Sequence, residues 1–525
     1  MVEEEAVGGG EQEETRSPPK KRARFEGDGE DENPSEMISV VISDGMRASR
    51  GQRAGVDCPY MDTVNRSMLD FDFEKVCSVS LENLNVYACL VCGKYLQGRG
   101  RNSHVYFHSL DQSHHVFINL DTEKVYCVPD GYEIVDSTLD DIKHAINPQL
   151  SPDQVASLND NPTRFRVLNG TMHYQGLVGM NNLHATDYAN AVLQSLFVIT
   201  PFRNFCLLYT RGPQAKSALM KRLGELVRKV YNSRAFRSHV SPHEFMQEVV
   251  NRSNKQFKIL EQGDPVEFIA FVLNTLHGDL GEKGDSEISR IFRGMIQMIT
   301  EKDQVEKGSG DQGARKSIKR KRKLVPYFFL SLDLPSRPLF KDSMDRKLIP
   351  QVPLHTLLSK FDGVQEHHMV KTGERRVYRI EKLPQYLILH IKRFTRNNFF
   401  EEKNPTIVQF PATNLELKDF VPHSVASQQI TKYDLVAAVT HEGEPKAGSY
   451  QVNIKHPPTG KWFQIQVSTR RSKRQPPNAR DDLMLNKVTP FLRAIQDLNV
   501  KETLPQLVTL TEAHILFYEA QQPEN

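Results

Sequence analysis

An α+β architecture is predicted for the larger part of this 525-residue chain, on three observations. The region from Leu177 to about Tyr518 carries helical patterns in its first half. After Val325 it becomes strand-rich, with VPYFFLSLDL, YLILHIKRF, YDLVAAVTH, GSYQVNIKH, GKWFQIQV and HILFYEA. Helices followed by strands, rather than alternating with them, indicate α+β. A separate Cys- and His-rich segment precedes this region, and the length itself exceeds one ordinary core, so two or three domains are expected.

Residues 1–45 are rich in Glu, Asp, Gly and Pro, with no apolar period to offset the entropy of ordering, and are expected to be disordered. Within them PPKKRAR, Pro18 to Arg24, reads as a nuclear localisation signal, with a solvated charge run as the plain alternative. Residues 50–148 form the expected small zinc-finger module, and 149–175, with its prolines and cap-forming residues, a linker or short helical connection. The main domain is placed at 176–520, interrupted by polar insertions at 301–323 and 468–480, both expected to be mobile loops. Their Lys and Arg residues could touch RNA phosphate or an acidic protein surface, with a solvated loop or a second nuclear signal as the plain alternative. The net charge of +3 is close to balanced, so any attraction to nucleic acid must be local. No run of about 18 apolar residues is present, so no membrane role is expected.

Five of the six cysteines, Cys58, Cys77, Cys89, Cys92 and Cys127, lie in the first quarter of the chain, a clustering that favours metal ligation over disulfides. Cys89-Leu90-Val91-Cys92 followed by His104, His108, His114 and His115 supplies the thiolate and imidazole donors that four-coordinate Zn2+ prefers. The chosen ligands are Cys89, Cys92, His108 and His114, with His104 and His115 as competitors. Cys58, Cys77 and Cys127 are either members of a second site or small core residues. The C-x-x-C pair, the QGRG turn at Gln97 to Gly100, the H-x-x-x-H spacing and the Tyr126 strand resemble the ubiquitin-hydrolase-type zinc finger. That resemblance implies a pocket for the ubiquitin tail, to which Arg99 and Tyr126 correspond. Trp462 is the sole tryptophan and lies elsewhere, and Val128 replaces a second Tyr. Ubiquitin binding is thereby put in doubt, and a structural zinc domain adapted to protein contacts is expected.

The stretch GMNNLHATDYANAVLQSLF, Gly179 to Phe197, resembles the nucleophile box of the ubiquitin-specific proteases, G-L-x-N-L-G-N-T-C-Y-x-N-A-V-L-Q. EQGDPVEFIAFVLNTLH, LPQYLILHIKRF, Lys403 with FPATNLEL, and HILFYEA continue the likeness in the family's order. The resemblance implies a papain-like ubiquitin-specific-protease fold, with helical thumb and β-rich fingers and palm, preceded by a small α/β zinc finger. It also assigns roles to positions. Asp187 falls where the attacking thiol belongs, Ser449 where the family has its general base, and Gln466 where a carboxylate or amide orients that base. Asn182 keeps the place of an oxyanion donor, with a turn-stabilising amide as the alternative. A carboxylate is a poor nucleophile toward an amide, and a Ser cannot serve as a general base near neutral pH. No catalytic residue or organic cofactor is therefore expected, and Asp187, competing with Thr186, is expected to cap a helix with one apolar face. Cys206 reads as a buried, inert thiol, and His441 and His456 lack the spacing of a base.

YACLVCGKYLQGRG, SHHVFINL and YANAVLQSL resemble the spliceosomal, inactive branch of this family. The resemblance implies a nuclear, non-catalytic role in assembly or maintenance of the U4/U6.U5 tri-snRNP and in pre-mRNA splicing, with tri-snRNP proteins as partners. A ubiquitin-binding adaptor and a deubiquitinase of unconventional chemistry are the rival expectations.

Overall fold

The computed structural model describes residues 58–72, 74–209, 217–281, 284–306, 315–336, 350–369, 372–396, 401–445, 448–467 and 498–522. The acidic segment 1–45, its basic cluster and the insertion at 468–480 lie outside them.

The Cys/His-rich segment builds a five-stranded antiparallel sheet from β1 (Val86–Cys89), β2 (Tyr95–Gln97), β3 (Val116–Asn119), β4 (Val125–Cys127) and β5 (Glu133–Ile134), in the order β2-β1-β3-β4-β5. Alternation sends Val86, Ala88, Val116 and Ile118 to one face and Tyr87, Cys89 and Phe117 to the other, and both faces are covered. Helix α1 (His104–Gln112) covers the second face through Val105. It starts where the Ser103 hydroxyl accepts from the Tyr106 N–H, and it stops at Ser113 in the left-handed region. Helices α2 (Asp140–Ile146) and α3 (Pro152–Ala156) lead onward, α3 opened by a capping box between Ser151 and Gln154. Val155 and Leu158 join the core of the main domain.

Two short strand pairs, β6 (Arg164–Arg166) with β7 (Met172–Tyr174) and β8 (Gly179–Met180) with β9 (His239–Val240), flank the helical part. That part comprises α4 (Asp187–Phe197), α5 (Thr200–Leu208), α6 (Ala218–Val230), α7 (His243–Arg252), α8 (Pro265–Leu280) and α9 (Glu287–Phe292). All eleven residues of α4 are buried, so the single apolar face expected from sequence is not what the helix presents. Its polar side chains are spent on backbone: Asn190 Nδ2 donates to Met180 and Asn181 carbonyls, Gln194 Nε2 to the Val178 carbonyl, and Ser195 Oγ to the Ala191 carbonyl. These donors are satisfied inside the enclosed helix, while Tyr188 Oη, Asn190 Oδ1 and Gln194 Oε1 are buried without partners among the described residues.

The strand-rich half forms two sheets. The first is antiparallel, β11-β10-β15-β14, from β10 (Gly294–Glu306), β11 (Arg315–Tyr327), β14 (His367–Met369) and β15 (Glu374–Lys382). The second, β12-β16-β25-β21-β22-β23-β24, uses β12 (Leu330–Asp333), β16 (Tyr386–Lys392), β21 (Lys432–Glu442), β22 (Ser449–Lys455), β23 (Trp462–Val467), β24 (Leu498–Thr503) and β25 (Ala513–Ala520), with β20 (Leu415–Glu416) beside β21. Short pairs join β13 (Gln351–Pro353) to β19 (Ile407–Gln409) and β17 (Phe394–Arg396) to β18 (Glu401–Lys403). Ile388, Val439, Val452, Ile454, Ile515 and Phe517 point to the helices, while Leu387, Leu389, Trp462, Leu516 and Tyr518 fill a second core on the opposite face.

The expected mobile loop at 301–323 is corrected. Its described parts are paired strand, Glu301 opposite Arg320 and Met298 opposite Lys323 in the β10–β11 hairpin. The polar composition that reads as loop belongs to a two-stranded arm whose ladder supplies the backbone partners that apolar patterning does not announce.

Candidate functional site

Helix α4 begins at Asp187. Its N-cap is Thr186, which makes no side-chain cap bond. The Thr186 hydroxyl instead accepts from the Leu183 N–H at 3.0 Å and donates to Asn182 Oδ1 at 3.3 Å. The side-chain cap by Thr186, one of the two expected from sequence, is therefore replaced by these turn contacts. The Asp187 carboxylate reaches outside its helix: it accepts from Gln262 Nε2 at 3.0 and 2.9 Å and from the Tyr450 N–H at 2.8 Å. Gln262 also donates to the Gly448 carbonyl at 3.3 Å. One side chain thus ties the start of α4 to the loop before α8 and to the start of β22. Burial raises the carboxyl pKa of Asp187, and the Tyr450 and Gln262 hydrogen bonds work against that rise.

Asn182 lies five residues upstream. Its Oδ1 accepts from the Thr186 N–H at 2.8 Å, while its Nδ2 is buried without a partner. The carbonyl end holds the turn and the amide end is left unspent. His184, where the family pattern has Gly, holds φ +95°, so the loop keeps a backbone that favours glycine at a cost in strain.

Ser449 opens β22 opposite Glu442, and Gln466 on β23 lies opposite Gln451. The register places Ser449, Gln451, Gln464 and Gln466 on one face of the sheet, yet no hydrogen bond among the described residues joins Ser449 or Gln466 to Asp187. Gln451 and Gln464 line a cavity of about 790 Å³ with Glu401, Glu442, Glu444 and Glu512, and Asp187 is not part of its wall. Gly448 is where a Cβ would come 2.3 Å from His441 Cε1. His441 is spent on packing against Phe394 and Tyr450, its two ring nitrogens buried without partners. Burial, and then the Lys403 charge, push its pKa down to about 4. His456 Nδ1 pairs with Thr459 Oγ1. Cys206 is fully buried in the helical core, and burial pushes its thiol well above the ordinary range.

In the small module, Cys89 Sγ, Cys92 Sγ, His108 Nε2 and His114 Nδ1 lie within 4.8 Å of one another. Cys92 Sγ to His108 Nε2 is 3.4 Å, Cys89 Sγ to His114 Nδ1 is 3.6 Å and His108 Nε2 to His114 Nδ1 is 3.1 Å. Tetrahedral zinc with ordinary bond lengths separates S from N by about 3.6 Å and N from N by about 3.3 Å. The donor set and its spacing fit that ion. His115 is not among them: its Nδ1 lies 3.0 Å from the Val128 carbonyl and its ring packs on Tyr60. His104 starts α1 outside the cluster. Cys77 Sγ accepts from the Val79 and Ser80 N–H groups, and Cys58 and Cys127 sit in the apolar core. Among the described residues no second group of three such ligands gathers. The Arg99 guanidinium stacks 4.0 Å over Tyr126.

Sequence reasoning missed two contributors. Gln262, in the loop before α8, and the Tyr450 N–H hold Asp187 from 75 and 263 residues away, and neither role has a local signal. Asp70 and Asp72 seat the module on the main domain through Arg237 at 3.2 Å and Lys229 at 2.8 Å.

Residues 178–518 match the ubiquitin carboxyl-terminal hydrolase family, and residues 77–139 match the Zn-finger in ubiquitin-hydrolases and other protein. The chain is similar to ubiquitin carboxyl-terminal hydrolase 39 of Homo sapiens, 42% identical over 503 residues that cover 92% of this chain and 83% of the relative. It is also similar to the probable mRNA-splicing protein ubp10 of Schizosaccharomyces pombe, 42% identical over 429 residues, 78% of this chain and 83% of the relative. Among solved structures, the crystal structure of an essential yeast splicing factor matches with a TM-score of 0.65 at 28% identity, over 88% of this chain and 100% of that one.

Proposed function

The chain belongs to the ubiquitin carboxyl-terminal hydrolase family, and we propose that within it this protein is a nuclear, non-catalytic spliceosomal component. It supports assembly or maintenance of the U4/U6.U5 tri-snRNP, and hence pre-mRNA splicing, through protein contacts of a degenerate protease fold. The relatives and the solved structure named for splicing support the spliceosomal part.

The observation that carries the non-catalytic part is the buried Asp187 carboxylate, held by three hydrogen bonds where the family frame has its thiol. Isopeptide cleavage needs a nucleophile and a group that moves its proton. Asp187 offers a weakly nucleophilic oxygen already engaged by Tyr450 and Gln262. Ser449 has no proton affinity near neutral pH, and His441 is a packing residue with its pKa lowered by burial. The Asn182 amide could still donate to an oxygen, but an oxyanion donor alone leaves a small residue of rate, and loss of such a nucleophile costs on the order of a millionfold. Asp187 acts here as a structural tie that keeps the protease-like shape closed.

Cys89, Cys92, His108 and His114 would hold Zn2+ in a closed four-ligand site, where the ion would cross-link β1, the following turn, α1 and the segment leading into β3. With no position open for water, its role is structural.

The test is purification of the tagged full chain from nuclear extract at gentle salt. Co-sedimentation with U4, U5 and U6 RNAs is expected. Sedimentation free of them would contradict the assignment.

A further inference from the structure

The four-stranded sheet ends in β11, an edge strand with no further partner among the described residues. Lys319, Arg320, Lys321, Arg322 and Lys323 follow one another along it, all exposed. The β10–β11 register sorts them by face. Lys319, Lys321 and Lys323 fall opposite Lys302, Thr300 and Met298; Arg320 and Arg322 fall opposite Glu301 and Ile299. Strand β15 continues both faces, with Arg376 opposite Thr300, and Arg375 and Arg379 opposite Glu301 and Gln297. Among the described side chains, Glu301 is taken by Arg320 at 2.7 Å and Arg375 at 3.9 Å, and Glu374 by Arg376 at 3.0 Å. Among the described residues no ion pair involves Lys319, Lys321, Arg322 or Lys323.

Lysine on an edge strand blocks pairing with another chain. One or two such residues suffice for that, whereas this edge concentrates unneutralised charge on both faces. Alternate residues on one face of a strand stand roughly 6.6 Å apart, which makes the three lysines a straight row of cations suited to a row of phosphates. A protein partner would need an apolar anchor, and among the described side chains of this part of β11 the exposed large apolar one is Leu324. Stacking on bases would need an exposed ring, and Tyr378 instead packs toward the second core and against Phe361.

We propose that the β11 edge of this sheet, with Lys319, Lys321, Arg322 and Lys323 as its contacts, is a binding surface for the ribose–phosphate backbone of RNA. It grips phosphate without reading base sequence. The choice of RNA among polyanions rests on the spliceosomal reading above.

The purified full chain tests this by fluorescence anisotropy with a labelled 20-nucleotide RNA of arbitrary sequence, single-stranded and as a duplex. With about four phosphates neutralised, log Kd should change with log salt by a slope of about 3 to 4, so Kd at 200 mM KCl should be on the order of a hundredfold weaker than at 50 mM. The K319S/K321S/R322S/K323S variant should bind at least tenfold more weakly at 50 mM with an unchanged melting temperature, and K319R/K321R/K323R should retain binding. Absence of saturable binding at 50 mM, or equal binding by the serine variant, would overturn the proposal. So would tighter binding of a 20-residue poly-glutamate peptide than of RNA, which would give the edge to an acidic protein. A serine variant that keeps RNA binding but self-associates on sedimentation would reduce the lysines to edge guards. Loss of RNA binding with tri-snRNP co-sedimentation intact would sink this surface and leave the spliceosomal reading standing.

Discussion

Asp187 acts where sequence logic places a nucleophile, yet each of its contacts serves to hold elements together. Replacing it with Ala strands the buried Tyr450 N–H, at a cost of about 1 to 3 kcal/mol, and leaves the Gln262 amide only its 3.3 Å bond to the Gly448 carbonyl. Asp187→Ala should therefore lower urea stability by about 1 to 3 kcal/mol. Asp187→Asn should lose far less, because an amide oxygen can still accept from Tyr450 while Gln262 turns its own carbonyl. Asp187→Cys should restore no isopeptidase activity, since no neighbouring group takes the thiol proton. His390 and His441 add a pH signature. Burial first, and then the charges of Lys392 and Lys403 respectively, hold both rings down at about 4, against an ordinary value of 6.5. The unfolded chain binds those protons from pH 6.5 downward and the folded chain does not, so stability should fall as pH drops from 6.5 toward 4 and stay level above. Urea midpoints across that range check it, and His441→Leu should blunt the acid loss. The frame around Asp187 was legible because the box is local. Its partners were not, since Gln262 and Tyr450 come to it through tertiary folding alone.

At the level of elements, the cysteine and histidine spacing carried the most. C-x-x-C places Cys89 at the end of β1 and Cys92 in the turn beyond it, and α1 brings His108 toward them, so four short-range residues needed little tertiary information. Choosing among four histidines needed more: the Val128 carbonyl removes His115, a contact no spacing announces. Zinc analysis should find one ion per chain, and Cys92→Ser should abolish it. Chelation should strip hydrogen-exchange protection from β1 to β4 while β21, β22 and β25 keep theirs, because the large sheet has its own two cores. Protection lost equally in both would refute that independence. The β10–β11 arm shows the opposite case. The run of charges from Lys319 to Lys323 in β11 carries no apolar–polar alternation, so the period-two signal is silent there and the ladder to β10, itself paired with β15, defines the strand.

For the whole molecule, the zinc module is anchored rather than tethered. Asp72 accepts from the Lys229 ammonium and from the Ser241 N–H, Asp70 pairs with Arg237, and Tyr95 Oη donates to the Asp70 carbonyl. Burial works against the Lys229 charge, and the charges of Asp72 and Glu244 outweigh it and raise its pKa. Breaking such a partly buried pair costs about 3 kcal/mol, so Lys229→Ala should loosen the module and raise hydrogen exchange across residues 69–72 without unfolding β21–β25. On the reading proposed above, the anchored module and the engaged Asp187 carboxylate belong to a shape used for contact rather than for catalysis. The most direct measurement is intact-mass analysis of the purified full chain after incubation with ubiquitin carrying a C-terminal electrophile. The predicted result is a chain of unchanged mass. A covalent ubiquitin adduct, at Cys206 or any other residue of the protease-like domain, would contradict the assignment.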